Sequence, residues 1–227
     1  MRGLCILSLS LLCASCMGAA QAAGQPPSRG SSAATTGSDA ILAHIDSLDP
    51  NWVPSGFGSL KQDDISLKSS PVSGLQVRAI PLDERFIRLL SPDSYRALHE
   101  LVAGNRARLE AIRDRTHLPS YSIWYVSFFS MEPGETRFSP QEFIISNIGR
   151  DFRTLDMVPL TPGFGEYRLR QREVQSALLV FDGQLDLNQP VSARMEGVES
   201  VTDWNRVLQR VERERAQERS RAGSVRP

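Results

Sequence analysis

The sequence predicts an α+β protein: an antiparallel β-sandwich, one long amphipathic helix before it and an Arg/Glu-rich helix at the C-terminus. Three observations carry this expectation. Between residues 120 and 200, short runs of β-branched and aromatic residues alternate with turn residues at intervals of about ten. Apolar residues at helical spacing occupy residues 92–117 and recur after residue 201. All three cysteines, Cys5, Cys13 and Cys16, fall in the first 16 residues, so the rest of the chain must be held by an ordinary hydrophobic core.

The N-terminus has the three parts of a secretory leader. Met1-Arg2 supplies one positive charge, Leu4 to Leu12 is apolar or small, and Ala20-Gln21-Ala22-Ala23 offers a small-residue cleavage site. The apolar run is too short to span a bilayer, which takes about 20 apolar residues. Residues 1–22 are therefore expected to be a signal peptide and the protein to be exported, to the periplasm or cell envelope or beyond. A second ending competes with cleavage after Ala22. Cys13-Ala14-Ser15-Cys16 resembles a bacterial lipobox, which implies Cys16 as a lipid-attachment residue, although Cys13 stands where leucine is usual.

Residues 23–40 are Gly, Ser, Thr, Pro and Ala with almost no apolar bulk, and read as a flexible linker. A mixed region follows over residues 41–119. Ile41, Leu42, Ile45 and Leu48 have helical spacing, stopped by Asp49-Pro50. Ile65-Ser66-Leu67 suggests a brief strand, and Leu75 to Leu82 alternates as a strand should. Ser91-Pro92-Asp93 is a helix start, with Ser as cap, Pro at the first helical position and Asp favouring the dipole. The helix is expected over about 92–117, with Leu98, Leu101, Val102, Leu109 and Ile112 on one face and a sheet as its partner.

Strands are expected next, over residues 120–200: Tyr121 to Met131, Phe143 to Ile148, Phe152 to Leu160, Tyr167 to Arg172, Val174 to Phe181 and Val191 to Val198. Residues 201–227 form the closing segment. Thr202 or Asp203 caps a helix whose apolar stripe is Trp204, Val207, Leu208 and Val211. Beyond Val211 the residues are almost all Arg, Glu, Gln and Ala, so that half is expected to project into solvent.

The stretch from Tyr121 to Val198 resembles the immunoglobulin-like sandwich modules of exported bacterial proteins. The likeness rests on the aromatic strand Tyr121 to Met131, on Met131-Glu132-Pro133-Gly134 with Phe138 after it, and on Ala177 to Phe181 ending in Asp182-Gly183. The Cys–Trp–Cys arrangement of antibody domains is absent. The resemblance implies binding or spacing rather than catalysis, and it carries no functional residue over.

The chemistry-bearing residues are sparse. No Gly-x-Ser-x-Gly elbow occurs, and His44, His99 and His117 are widely separated. No pair of histidines or cysteines has metal-ligand spacing, and Asp182, Asp186 and Asn188 miss the calcium-loop pattern. No catalytic residue, metal or cofactor is expected. The formal charge of zero gives no basic field for nucleic acid. Of the 26 basic residues only Lys61 and Lys68 are lysines, a bias that a GC-rich genome also produces.

Two local features suggest contacts. Arg168, Arg170 and Arg172 would share one face of a strand, a stripe suited to phosphates, acidic glycans or a carboxylate-rich protein, or simply a solvated face with Glu neighbours. Phe164, between Gly163 and Gly165, is the other candidate contact, unless it tucks over the core. Trp124, Tyr125, Phe128 and Phe129 could form a sugar platform, but a dense strand places such residues in a core. The expected function is that of a non-catalytic exported envelope protein, a binding or assembly module whose partner is an envelope protein or acidic envelope component. The alternatives are an envelope hydrolase using carboxylates that sequence order hides, or a structural spacer.

Overall fold

Eleven antiparallel strands and four α-helices are found among the described residues of the computed structural model, which are 49, 51–71 and 74–224. The leader, Cys16, the linker, His44 and the stretch Ile41 to Leu48 lie outside the described residues. The protein is α+β. A five-stranded sheet has the order β1 (Leu67–Ser69), β2 (Leu75–Pro81), β3 (Tyr121–Ser130), β9 (Val174–Asp182), β7 (Asp156–Pro159). A four-stranded sheet has the order β11 (Val198–Glu199), β10 (Val191–Met195), β5 (Ile144–Asn147), β6 (Arg150–Arg153). The remaining strands, β4 (Glu135–Arg137) and β8 (Arg168–Arg170), pair with each other.

The long strand β3 organises the first sheet. Its even residues Trp124, Val126 and Phe128 are fully buried, as period-two alternation requires. Opposite them stand Pro81, Ala79 and Val77 of β2, and Leu179, Ala177 and Gln175 of β9. Ile145, Phe152, Val191, Ala193 and Met195 of the second sheet join the same core, with Phe143 and Phe181 in ring contact at 6.3 Å. β9 is different: Gln175 through Phe181 are all buried, so both of its faces are covered. That is why Ala177-Leu178-Leu179-Val180-Phe181 reads as an unbroken apolar run rather than an alternating one.

α1 (Glu84–Ile87), α2 (Pro92–Gly104) and α3 (Arg106–Thr116) supply Phe86, Ile87, Leu98, Leu109 and Ile112 to that core. The helix expected over 92–117 is thus two helices, parted at Asn105 (φ −110°, ψ 10°). Gly104 weakens the helix there, and Asn105 turns its side-chain N–H back to the Leu101 carbonyl at 2.9 Å, the competition with the backbone that makes Asn a helix breaker. His117 ends α3 in the left-handed conformation, φ 53°. Likewise 152–160 holds the end of β6 and then β7, because Thr154-Leu155 separates them.

The described residues cluster as one unit. β2, from the region 41–119, pairs along its whole length with β3, from the region 120–200. No helix among the described residues is long and apolar enough to cross a membrane.

The closing helix α4 (Trp204–Ser224) departs most from expectation. Asp203 caps it, accepting from the Asn205 N–H at 3.0 Å. Beyond Val211 it does not project into solvent: Glu214, Arg215 and Glu218 are 4%, 1% and 6% exposed. They continue the buried stripe of Trp204, Val207 and Val211 at three- and four-residue steps. The covering includes the segment 51–60. Glu214 accepts from the Ser59 N–H at 2.7 Å and from its hydroxyl at 3.0 Å. Arg219 stacks over Trp52 at 4.8 Å, and Arg215 over Phe86 at 5.1 Å. Gly58 fits only as glycine, because a Cβ there would stand 2.1 Å from the Leu89 carbonyl oxygen. The expectation of a solvated half-helix fails because charged side chains can be buried when tertiary partners meet them.

Candidate binding groove

β8 is three residues long, with Leu169 fully buried and Arg168 and Arg170 turned outward. The strand stops there. Gln171-Arg172 is a turn, with Arg172 in the left-handed region at φ 61° and its N–H donated to the Ser130 carbonyl at 2.8 Å. Strand alternation therefore places two of the three arginines, and a turn places the third. All three line one groove of about 610 Å³.

Phe164 is not a contact residue. It is 1% exposed and meets Phe128, Phe138 and Tyr167 at ring distances of 6.1, 5.6 and 6.0 Å. Gly163 (φ 80°) and Tyr167 (φ 53°), both left-handed, turn the loop so that its one large apolar side chain points inward. The buried ring anchors the loop, and Gly163 and Glu166 are left on the groove.

The groove is not a basic stripe. Glu135, Glu166 and Glu173 line it beside the three arginines, so its formal charges balance. Arg168 Nε lies 3.5 Å from Glu135 Oε1, both half exposed, a pair worth at most about 1 kcal/mol. Glu173 accepts the Arg170 backbone N–H at 2.7 Å and the Gln175 side-chain N–H at 2.9 Å. The Arg170 N–H first, then Gln175, hold its carboxyl below the ordinary range. Gln175 Nε2 also donates to the Arg168 carbonyl at 3.0 Å. Together Glu173 and Gln175 satisfy the outer edge of β8 and block it from pairing with another strand.

Three charged groups remain open. The guanidiniums of Arg170 and Arg172 and the carboxylate of Glu166 are exposed and make no side-chain hydrogen bond or ion pair among the described residues, although the Arg170 charge also acts on the Glu173 carboxylate. Gln175 beneath them is 3% exposed, and its Oε1 is buried from the groove without a donor.

The other residues singled out from sequence have structural roles. Asp182 and Asp186 accept backbone N–H bonds from Gln184 and Asn188 two residues on, which is turn chemistry. Among the described residues no group of three or more His, Cys, Asp or Glu side chains is placed to hold a metal ion. Trp124 and Phe128 are core residues, while Tyr125 and Phe129 are half-buried on the other face of β3.

One cluster escaped sequence reasoning. His99 Nδ1 lies 2.8 Å from Glu84 Oε1, and Tyr95 Oη is within 3.3 Å of both groups. Arg88 donates to Glu84 at 3.0 Å and stacks over Tyr95 at 4.8 Å. Burial, then the Glu84 charge, raises the Tyr95 phenol pKa. The cluster braces α1 against α2. The four-residue spacings Glu84–Arg88 and Tyr95–His99 were visible in the sequence, but their meeting was not. No hydroxyl or thiol of a Ser, Thr or Cys is bonded to the imidazole among the described residues.

Compared with protein families, curated proteins and solved structures, the chain matches none.

Proposed function

We propose that this is an exported, non-catalytic binding or assembly module of the cell envelope, and that the groove beside β8 is its contact surface. The observation that carries the reading is the set of unpartnered charges in one groove: Arg170, Arg172 and Glu166. The partner would be an envelope protein. Export rests on the leader at residues 1–22, and lipid attachment would be at Cys16. The two larger sheets sharing one core support a β-sandwich related to immunoglobulin-like modules.

The test is partner capture from an envelope extract by the full chain and by the triple variant Arg168→Glu, Arg170→Glu, Arg172→Glu, with unchanged circular dichroism as the folding control. Loss of the captured partner in the variant is expected. Retention of every partner would remove the groove from the function. The intact mass of the mature protein from membrane and soluble fractions separates a chain beginning at lipidated Cys16 from one beginning at Ala23.

A further inference from the structure

We infer that the groove recognises an amphoteric ligand, a short peptide or amino acid with a free carboxylate and a free ammonium, and not a polyanion. This inference rests on the reading of the groove as the contact surface. A groove lined by three arginines and three glutamates has no net field with which to gather a phosphate polymer or acidic glycan, and such a chain would be set against Glu135, Glu166 and Glu173 as it entered. Internal bonds then divide the six charges unequally. Arg168 is matched to Glu135, and Glu173 is tied to the β8 edge. What stays open is two guanidiniums and one carboxylate.

Two guanidinium forks suit one carboxylate bidentately, and the lone Glu166 carboxylate suits one ammonium. The volume, about 610 Å³, falls within the roughly 300–1,000 Å³ of small-ligand sites. Its predominantly polar wall rules against an apolar occupant.

Calorimetric titration of the full chain with a panel of Ala-Xaa dipeptides tests this. Saturable binding by at least one dipeptide is expected, and N-acetylation or C-amidation of that dipeptide should each weaken it about tenfold, the loss of one charge-assisted contact. Glu166→Gln should abolish discrimination against the acetylated form only. Arg170→Ala with Arg172→Ala should abolish discrimination against the amidated form only. Inorganic phosphate should not compete. The inference is overturned if no dipeptide binds at millimolar concentration, or if phosphate competes equally and Glu166→Gln changes nothing. Should the dipeptides fail while the triple Arg→Glu variant still loses its envelope partner, the groove stands as a contact surface and only the ligand class falls. If both fail, the groove is not the contact.

Discussion

Ile148 stands at the first position of the two-residue turn joining β5 to β6, with φ 47°, followed by Gly149 at φ 72°. Left-handed backbone at both positions is what a tight hairpin needs, and Asn-Gly is the pair that best provides it. A β-branched side chain there is strained, and it is 52% exposed, so no packing offsets the strain. Ile148→Asn should stabilise the protein by about 1 kcal/mol in urea unfolding; a loss of stability would mean that the isoleucine makes a contact worth more than its strain. Glu173 gives a pH-dependent counterpart. Its folded-state pKa is below the ordinary value of 4.5, so it contributes stability that is fully present above 4.5 and lost as pH falls through the folded value. Glu173→Gln should lower the melting temperature at pH 7 and lower it by less at an acidic pH below 4.5, as the folded-state carboxyl begins to take up its proton. An equal effect at both pH values would refute the assignment.

Among the elements, α4 makes the sharpest test, because its buried charges differ in how well they are served. Glu214 is fully engaged by Ser59, and removing it takes away the charge-assisted bonds from a backbone N–H and a hydroxyl. Arg215 is the reverse case. Its Nη1 bonds Asn188 and Glu212, but Nε and Nη2 are buried with no partner. Glu214→Ala should therefore cost about 1–3 kcal/mol. Arg215→Met, which keeps the aliphatic length over Phe86, should be neutral or stabilising, because the orphaned donors go and the half-exposed Glu212 is left to water. Thermal unfolding of both variants decides it, and a strongly destabilising Arg215→Met would mean that the guanidinium is better satisfied than its bonds indicate. The short strand β8 shows the complementary logic. Leu169 fixes its register, and the side chains of Glu173 and Gln175 finish its open edge.

For the whole molecule, the ends of the described chain depend on each other. Trp52, Gly58 and Ser59 near one end are held by Arg219 and Glu214 near the other, and Arg210 reaches Asp64 at 3.1 Å. Such long-range contacts join α4 to the body as part of one cooperative unit. Removing residues 212–224 should lower the melting temperature of the entire domain in a single transition, monitored by both far-UV circular dichroism and Trp fluorescence. A truncated protein that melts like the full chain would make the second half of α4 an appendage after all.

By itself the sequence determined the β-rich α+β class, the positions of β2, β3 and β9, and a helix cap at Thr202 or Asp203. Each is a local matter, settled by period-two or helical spacing or by a capping residue. It also set Arg168, Arg170 and Arg172 on one strand face, which holds for the first two only, since the strand ends at Arg170. Only the tertiary structure decided that Asn105 parts a helix, that Phe164 faces the core and that Glu214, Arg215 and Glu218 are buried. It alone placed Glu135, Glu166 and Glu173 among the arginines. The physical reason is the same in each case. A polar residue's exposure depends on whether a partner arrives from a distant part of the chain, as Ser59 does for Glu214 and β4 does for β8. Periodicity shows which way a side chain points, and what it meets there is fixed only when the sheets and helices pack.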